Sequence, residues 1–423
     1  MIILRSILGL VFFCFIAWLM SSNRRRFPWR LAATGVLLQF ALAWLLLETT
    51  IGIAMFQGAS SFVAKLASVA EPGAKLVFGP IADFDQMAAI FGPQSGFVFA
   101  FAGKGLILLI FFSALMAVLY HIGIMQVVVW CLARVMSLVM GVSGAEAMAM
   151  AANVFVGNTE APLVVRPFVP RMTLSELNAL MTGGFATIAG TVLAVYMGIL
   201  GEELGPHLLS ASVLSAPAAF VVAKIMRPET EVSETSGKIK FQLNRSSSNL
   251  IEAATDGTTT GLKLWLNVIA MLIAFMALVN LVNWPIGWFG ELLEIDGGLS
   301  LQRFFGWVFA PVAWLMGVEG WHDSQLMGTL LGTKVSINEF VALTEMTKCL
   351  PGGETPFESS RTAAMAAYAL CGFANFGSMG VQIGGLAPLA PDRKADISKL
   401  AFKAMIGGAF ASWMTATIAG AFL

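Results

Sequence analysis

The decapeptide Asn153-Val154-Phe155-Val156-Gly157-Asn158-Thr159-Glu160-Ala161-Pro162 places four polar side chains and two helix breakers inside an otherwise apolar stretch. Gly157 and Pro162 interrupt the helical ladder around Asn158, Thr159 and Glu160, which frees backbone groups to bind something. In hydrocarbon an unsatisfied amide costs several kcal/mol, so irregular backbone is tolerated there only inside protein or against a watery cavity. A carboxylate at membrane depth marks a functional site. The alternative is that Glu160 is a solvated cap at the mouth of a hairpin.

The membrane setting follows from the rest of the chain. Of 423 residues, 57% are hydrophobic and 12% charged, whereas soluble domains carry roughly 25% charged residues. At about 20 residues per crossing the chain holds roughly eight to ten membrane segments in one polytopic all-α unit. Equal numbers of basic and acidic residues, 25 each, give no footprint for nucleic acid. Cys14, Cys131, Cys349 and Cys371 are scattered without paired spacing, so neither a disulfide framework nor a thiolate metal site is indicated. Residues 7–20 resemble a signal-peptide core, but Arg24, Arg25 and Arg26 stand where a cleavage site would be, so this reads as a retained first helix.

Residues 2–20, 31–47, 97–120, 174–200, 207–226, 262–282 and 400–423 are apolar enough and long enough to cross. Three intervening stretches, 143–170, 309–345 and 359–391, are apolar but studded with Gly, Asn, Glu and Ser. The hydrophilic residues 227–259 read as a solvent loop that divides the chain into halves. Each half has an interrupted segment followed by a Gly-rich one, and the phrases GGFATIAG (183–190) and CGFANFGS (371–378) echo each other. Paired interruptions of this kind point to inverted repeats with a site between them. The positive-inside rule supports two hairpins. With Arg24, Arg25, Arg26 and Arg30 cytoplasmic, a hairpin at 143–170 opening inward and one at 309–345 opening outward leave Arg166, Arg171, Lys224, Arg227, Lys238, Lys240, Arg245, Arg393, Lys394, Lys399 and Lys403 all inside.

The second half has its own polar cluster, Lys334-Val335-Ser336-Ile337-Asn338-Glu339-Phe340. A carboxylate such as Glu339 accepts two hydrogen bonds at once, which suits neighbouring hydroxyls of a sugar; the alternative is a structural pair with Lys334. Asn375 and Ser378, three apart on a glycine-rich helix, would orient a neutral polar ligand. For the surrounding glycines, close helix packing is the simpler reading.

Four motifs in order, GNTEAPLVVRPF (157–168), MTLSELNALMTGGFATIAGTV (172–192), KVSINEF (334–340) and GFANFGSMGVQIGGLAPLAP (372–391), resemble the concentrative nucleoside transporter family, bacterial sodium-coupled type. The resemblance implies a homotrimer in the bacterial cytoplasmic (inner) membrane, about eight transmembrane helices per protomer with two re-entrant hairpins in inverted repeats and interfacial helices. It implies import of nucleosides such as uridine, coupled to sodium or, in some bacterial members, to protons, by an elevator motion. By position it places base contacts on Gly157, Asn158, Thr159 and Glu160 with Val192, and ribose contacts on Glu339, Asn375 and Ser378 with Phe373. It places a sodium site near Asn153, Val156, Thr187 and Ile188. Asn158 stands where many members have Gln, and Thr187 where Ser is also found. The implied division is residues 1–142 as mainly scaffold and oligomerisation helices with an interfacial segment, 143–226 as the first half of a transport domain, 227–308 as polar loop and scaffold helix, and 309–423 as the second half.

Two rival classes stand beside this. Gly141-Val142-Ser143-Gly144 matches the short GxSG pattern of rhomboid-type intramembrane proteases, but His121, His207 and His322 lie outside any Gly-rich helix that would present a base to it. A passive pore is the other. Neither HExxH nor a Cys/His cluster offers a zinc site, so no catalytic residues are expected.

Overall fold

The computed structural model describes residues 2–92, 100–101, 105–236, 247–295 and 298–423, and among these the regular structure is helical throughout. The first part of the chain forms α1 (Ile2–Leu19), α2 (Trp29–Leu47), α3 (Thr50–Phe78) and α4 (Phe84–Phe91). A first repeat follows: α5 (Leu108–Ile122), α6 (Ile124–Met140), α7 (Gly144–Asn153), α8 (Ala161–Val164), α9 (Leu174–Ala186), α10 (Gly190–Leu200) and α11 (Gly205–Met226). The second repeat runs in the same order: α12 (Leu250–Leu292), α13 (Leu301–Leu315), α14 (Trp321–Ser336), α15 (Glu339–Thr347), α16 (Ser360–Leu370), α17 (Phe376–Leu386) and α18 (Lys394–Ala419).

Helix starts are set by side-chain caps. Ser143 with Glu146 and Thr173 with Glu176 form capping boxes at α7 and α9, while Asn249, Asn338 and Asn375 cap α12, α15 and α17. Each cap contributes about 1 kcal/mol by satisfying an orphan N–H. The core is the mutual packing of α9, α11, α16 and α18, whose facing sides are almost wholly buried. Outside it, α5 packs along α12. Gly257 and Gly261, four apart, let the two backbones approach, since a Cβ at either would come within 2.7 Å of α5 backbone.

Both interrupted segments are hairpins, and they open at opposite ends. In the first, the entering Ser143 hydroxyl donates to Glu176 at 2.5 Å and the leaving Thr173 N–H donates to the same carboxylate at 2.8 Å. In the second, Asp323 near the start of α14 accepts the N–H groups of Glu358 and Ser359, just before α16. The first hairpin shares its end with the basic clusters. There Arg393 donates to the carbonyls of Pro170 and Met172, Ser22 N–H to Met226, and Lys403 to Met20. At the other end Arg361 holds the carbonyls of Gly317 and Gly420, and Arg5 that of Val318. This is the arrangement expected from charge placement; Lys238, Lys240 and Arg245 lie outside the described residues.

Four boundaries differ from the sequence expectation. The span 174–200 is two helices, α9 and α10, with residues 187–189 between them. The second hairpin begins at Trp321 rather than at Phe309, which belongs to α13. The polar loop ends at Asn249, because Thr255, Thr258, Thr259 and Thr260 turn their hydroxyls onto carbonyls four residues back and continue α12. At 43 residues α12 is about 65 Å long, well beyond a bilayer core. Of the expected span 97–120, residues 97–99 and 102–104 lie outside the described residues; α5 forms its described end and meets α6 at a bend of 78°.

Candidate functional site

The tip of the first hairpin, between α7 and α8, carries Asn153, Val156, Gly157, Asn158, Thr159 and Glu160. It lies against the break between α9 and α10. Gly190 N–H donates to the Phe155 carbonyl at 2.8 Å, and a Cβ on Gly157 would touch Ala189. The Thr187 hydroxyl is shared between the carbonyls of Asn153 at 2.9 Å and Gly183 at 3.0 Å, and the Ile188 N–H reaches Ser212 of α11 at 3.4 Å. Asn153 is buried, its side-chain amide stands over Gly183, and neither amide atom has a partner. The C-terminal ends of α7 and α9 therefore converge on one spot with their partial negative charge and with unfilled polar capacity, an environment suited to a small hard cation. Asn153, Thr187 and Ile188 are brought together there, and Val156 follows Phe155, whose carbonyl takes the Gly190 N–H.

The tip of the second hairpin brings Glu339 to the break between α16 and α17. Its Oε1 accepts the Tyr196 hydroxyl at 3.2 Å and its Oε2 the Asn375 amide at 2.9 Å. Asn375 is itself held, since its Oδ1 caps α17 by accepting the Ser378 N–H at 2.8 Å. Each Glu339 oxygen keeps a further lone pair, so the carboxylate is oriented yet still able to accept hydroxyls. The supposed pair with Lys334 does not form: the Lys334 ammonium turns away to the carbonyls of Ala369 and Cys371 and to Ser412.

Each tip also leans on the outer half of the other repeat's broken helix. Tyr196 of α10 stacks edge-on to Phe340 at 5.0 Å, and Val192 lies one turn away on the same face of α10. Conversely, Thr159 fits against Gly385 of α17, and Asn158 meets Gln382 across Gly184. Phe373 sits half-buried in the second break. Glu160 is at the tip, a full α7 length from the mouth at Ser143, so it is not a cap at the hairpin mouth.

Three residues were missed by sequence reasoning: Tyr196, Gln382 and Ser212. Tyr196 is one of only three tyrosines in the chain and lies four residues after Val192, a signal that could have found it. Ser143 is a buried helix cap bound to Glu176, not a nucleophile beside a histidine. Among the described residues no group of three or more His, Cys, Asp or Glu side chains could hold a metal ion.

Family models described as Na+ dependent nucleoside transporter N-terminus, nucleoside recognition, and Na+ dependent nucleoside transporter C-terminus match residues 8–81, 102–203 and 207–420. An uncharacterized transporter of Haemophilus influenzae is 41% identical, covering 100% of this chain and 98% of its own length. Solute carrier family 28 member 3 of Mus musculus is 39% identical over 97% of this chain, and sodium/nucleoside cotransporter 1 of Rattus norvegicus 38% over 98%. The chain spans 58% and 63% of those two mammalian proteins. Among solved structures, CNTnw in an inward-facing substrate-bound state superposes with a TM-score of 0.90 at 40% identity, covering 100% of this chain and 98% of that one. A CNTnw variant in an outward-facing state superposes at 0.91, with the same identity and coverage. Matched from end to end by models and relatives of one kind, and sharing their fold in both states, this chain belongs to the Na+-dependent nucleoside transporter family.

Proposed function

We propose that this nucleoside transporter is a sodium symporter that imports nucleosides such as uridine, working as a homotrimer in a bacterial cytoplasmic membrane by an elevator-type movement. Gly157, Asn158, Thr159, Glu160 and Val192 face the base in this reading. Glu339, Asn375 and Ser378, with Phe373, hold the ribose. Sodium binds at Asn153, Val156, Thr187 and Ile188. The observation that carries the reading is the unpartnered, buried Asn153 amide beside the Thr187 hydroxyl, where two helix C-termini meet. A sodium ion takes oxygen ligands, and broken helices supply them.

One sodium ion is energetically sufficient. Moving one charge through about 100 mV contributes roughly 2.3 kcal/mol, and a tenfold gradient adds about 1.4 kcal/mol, together enough for several-hundred-fold accumulation. Motion is favoured by the apolar character of the contact between the second hairpin and α12, where Ile337 and Val341 meet Leu272, Phe275, Met276 and Val279.

Thr187→Val tests the ion site, because it keeps the shape and deletes the oxygen. Half-maximal uptake should then require roughly tenfold more sodium, the loss of one ion–dipole contact, while the protein stays folded. An unchanged sodium curve, or wild-type uptake that ignores sodium and follows pH, contradicts the assignment.

A further inference from the structure

Lys334 is fully buried near the end of α14, at 0% exposure. Its ammonium donates to the Ala369 carbonyl at 2.8 Å, the Cys371 carbonyl at 3.3 Å and the Ser412 hydroxyl at 2.9 Å, and it forms no ion pair with a carboxylate among the described residues. A buried charge without a counter-ion is costly. Here it is offset by three acceptors, two of them at the C-terminal end of α16, where a helix carries partial negative charge.

The first half builds the same niche from corresponding parts. There the end of the hairpin arm α7 offers the Asn153 carbonyl, the broken helix α9 ends in the Gly183 carbonyl and the Thr187 hydroxyl, and α11 supplies Ser212. In the second half the arm is α14, the broken helix is α16, and the serine, Ser412, comes from α18. The two breaks touch, for Gly372 lies against the carbonyls of Phe185 and Ala186 at the end of α9. One difference separates the niches: the last residues of α7, Met148-Ala149-Met150-Ala151-Ala152-Asn153, carry no charge, whereas α14 delivers an ammonium.

We infer that Lys334 is a tethered cation filling the second half's counterpart of the coupling-ion niche, so that one half is permanently loaded and only the other exchanges its cation with solution. The inference rests on placing the coupling ion beside Asn153 and Thr187. It accounts for a single mobile ion in a molecule built from two similar halves. It also defines a ligand class for the vacated niche: small monovalent cations, with ammonium and methylammonium matching the lost group.

Thermal unfolding of the full-length protein in detergent tests it, comparing wild type, Lys334→Ala and Lys334→Met in ammonium, methylammonium or choline chloride at equal ionic strength. Lys334→Ala should unfold at a lower temperature, and ammonium and methylammonium should restore the midpoint saturably, as a ligand bound to the native state does, while choline does not. Lys334→Met should be lowered without rescue, because its side chain fills the space, and wild type should not distinguish the three salts. Lys334→Ala unfolding like wild type, or responding equally to ammonium and choline, overturns the proposal. So does failure to recover Lys334→Ala folded even with ammonium present throughout, since an exchangeable niche would then be filled. The readout concerns only the second niche, so its failure is distinguishable from failure of the Thr187→Val sodium curve, which reports the first.

Discussion

Glu339 is held by two neighbours, and this explains how one carboxylate can be buried and still, in the proposed ribose site, be ready to accept. Tyr196 and Asn375 each take one oxygen, and Asn375 is fixed in turn by capping α17. Replacing Glu339 by Gln removes the charge and turns one acceptor oxygen into a donor, which either opposes the Asn375 amide or obliges the Tyr196 hydroxyl to accept instead of donate. Losing a charge-assisted bond costs about 1.5–3 kcal/mol, so Glu339→Gln should weaken nucleoside binding at least roughly tenfold, measured by titration calorimetry. Wild-type affinity in that variant would remove Glu339 from the site. The position of Glu339 at a helix break was legible from a lone carboxylate in an interrupted apolar segment. Its true partners were not, because Tyr196 and Asn375 lie 143 and 36 residues away in sequence. Lys334, only five residues away, suggested a pair that the helix break between α14 and α15 turns aside.

At the scale of elements, the broken helices decide the geometry. The phrases GGFATIAG and CGFANFGS, which echo each other in the sequence, both fall at breaks, but not in register, and the first lies within what reads as one continuous span. In the first phrase Gly-Phe-Ala closes α9, while in the second it forms the break itself, between Leu370 and Phe376. The reason lies in Gly372. Its φ of +118° is open to glycine, and a Cβ there would come within 2.8 Å of the Phe185 and Ala186 carbonyls. Gly372→Ala should therefore destabilise the protein by on the order of 3 kcal/mol, combining backbone strain with overpacking. Gly380, in α17 with nothing within 4 Å, is the matched control; there Ala should be neutral or stabilising by roughly 0.5–1 kcal/mol. Thermal unfolding of the two variants separates them, and equal midpoints would show that the central contact is not tight. Some elements were hidden from sequence for a plain physical reason. The amphipathic α3 and the steep bend into α6 lack the uniform apolar run by which a crossing helix is read, and threonine hydroxyls disguised the start of α12 as a loop.

Over the whole molecule, opposite-facing hairpins place two polar tips in the middle of one apolar body, each tip supported by the other repeat. That plan was readable from charge placement, because basic residues settle on one side whichever way the helices pack. How protomers meet was not. Along the most apolar stretches of residues 50–91 and of α12 only 11% is buried within the chain, and in the proposed trimer these stretches face a neighbouring protomer or lipid. The central claim is that downhill sodium entry drives nucleoside uptake through this site. Its most direct test is radiolabelled uridine uptake into proteoliposomes holding the purified protein, with inward sodium and inward proton gradients imposed separately at fixed membrane potential. The account predicts transient accumulation above the external concentration with the sodium gradient alone, abolished when sodium is equal on both sides. Equilibration without any gradient, or accumulation driven by protons alone, would contradict it.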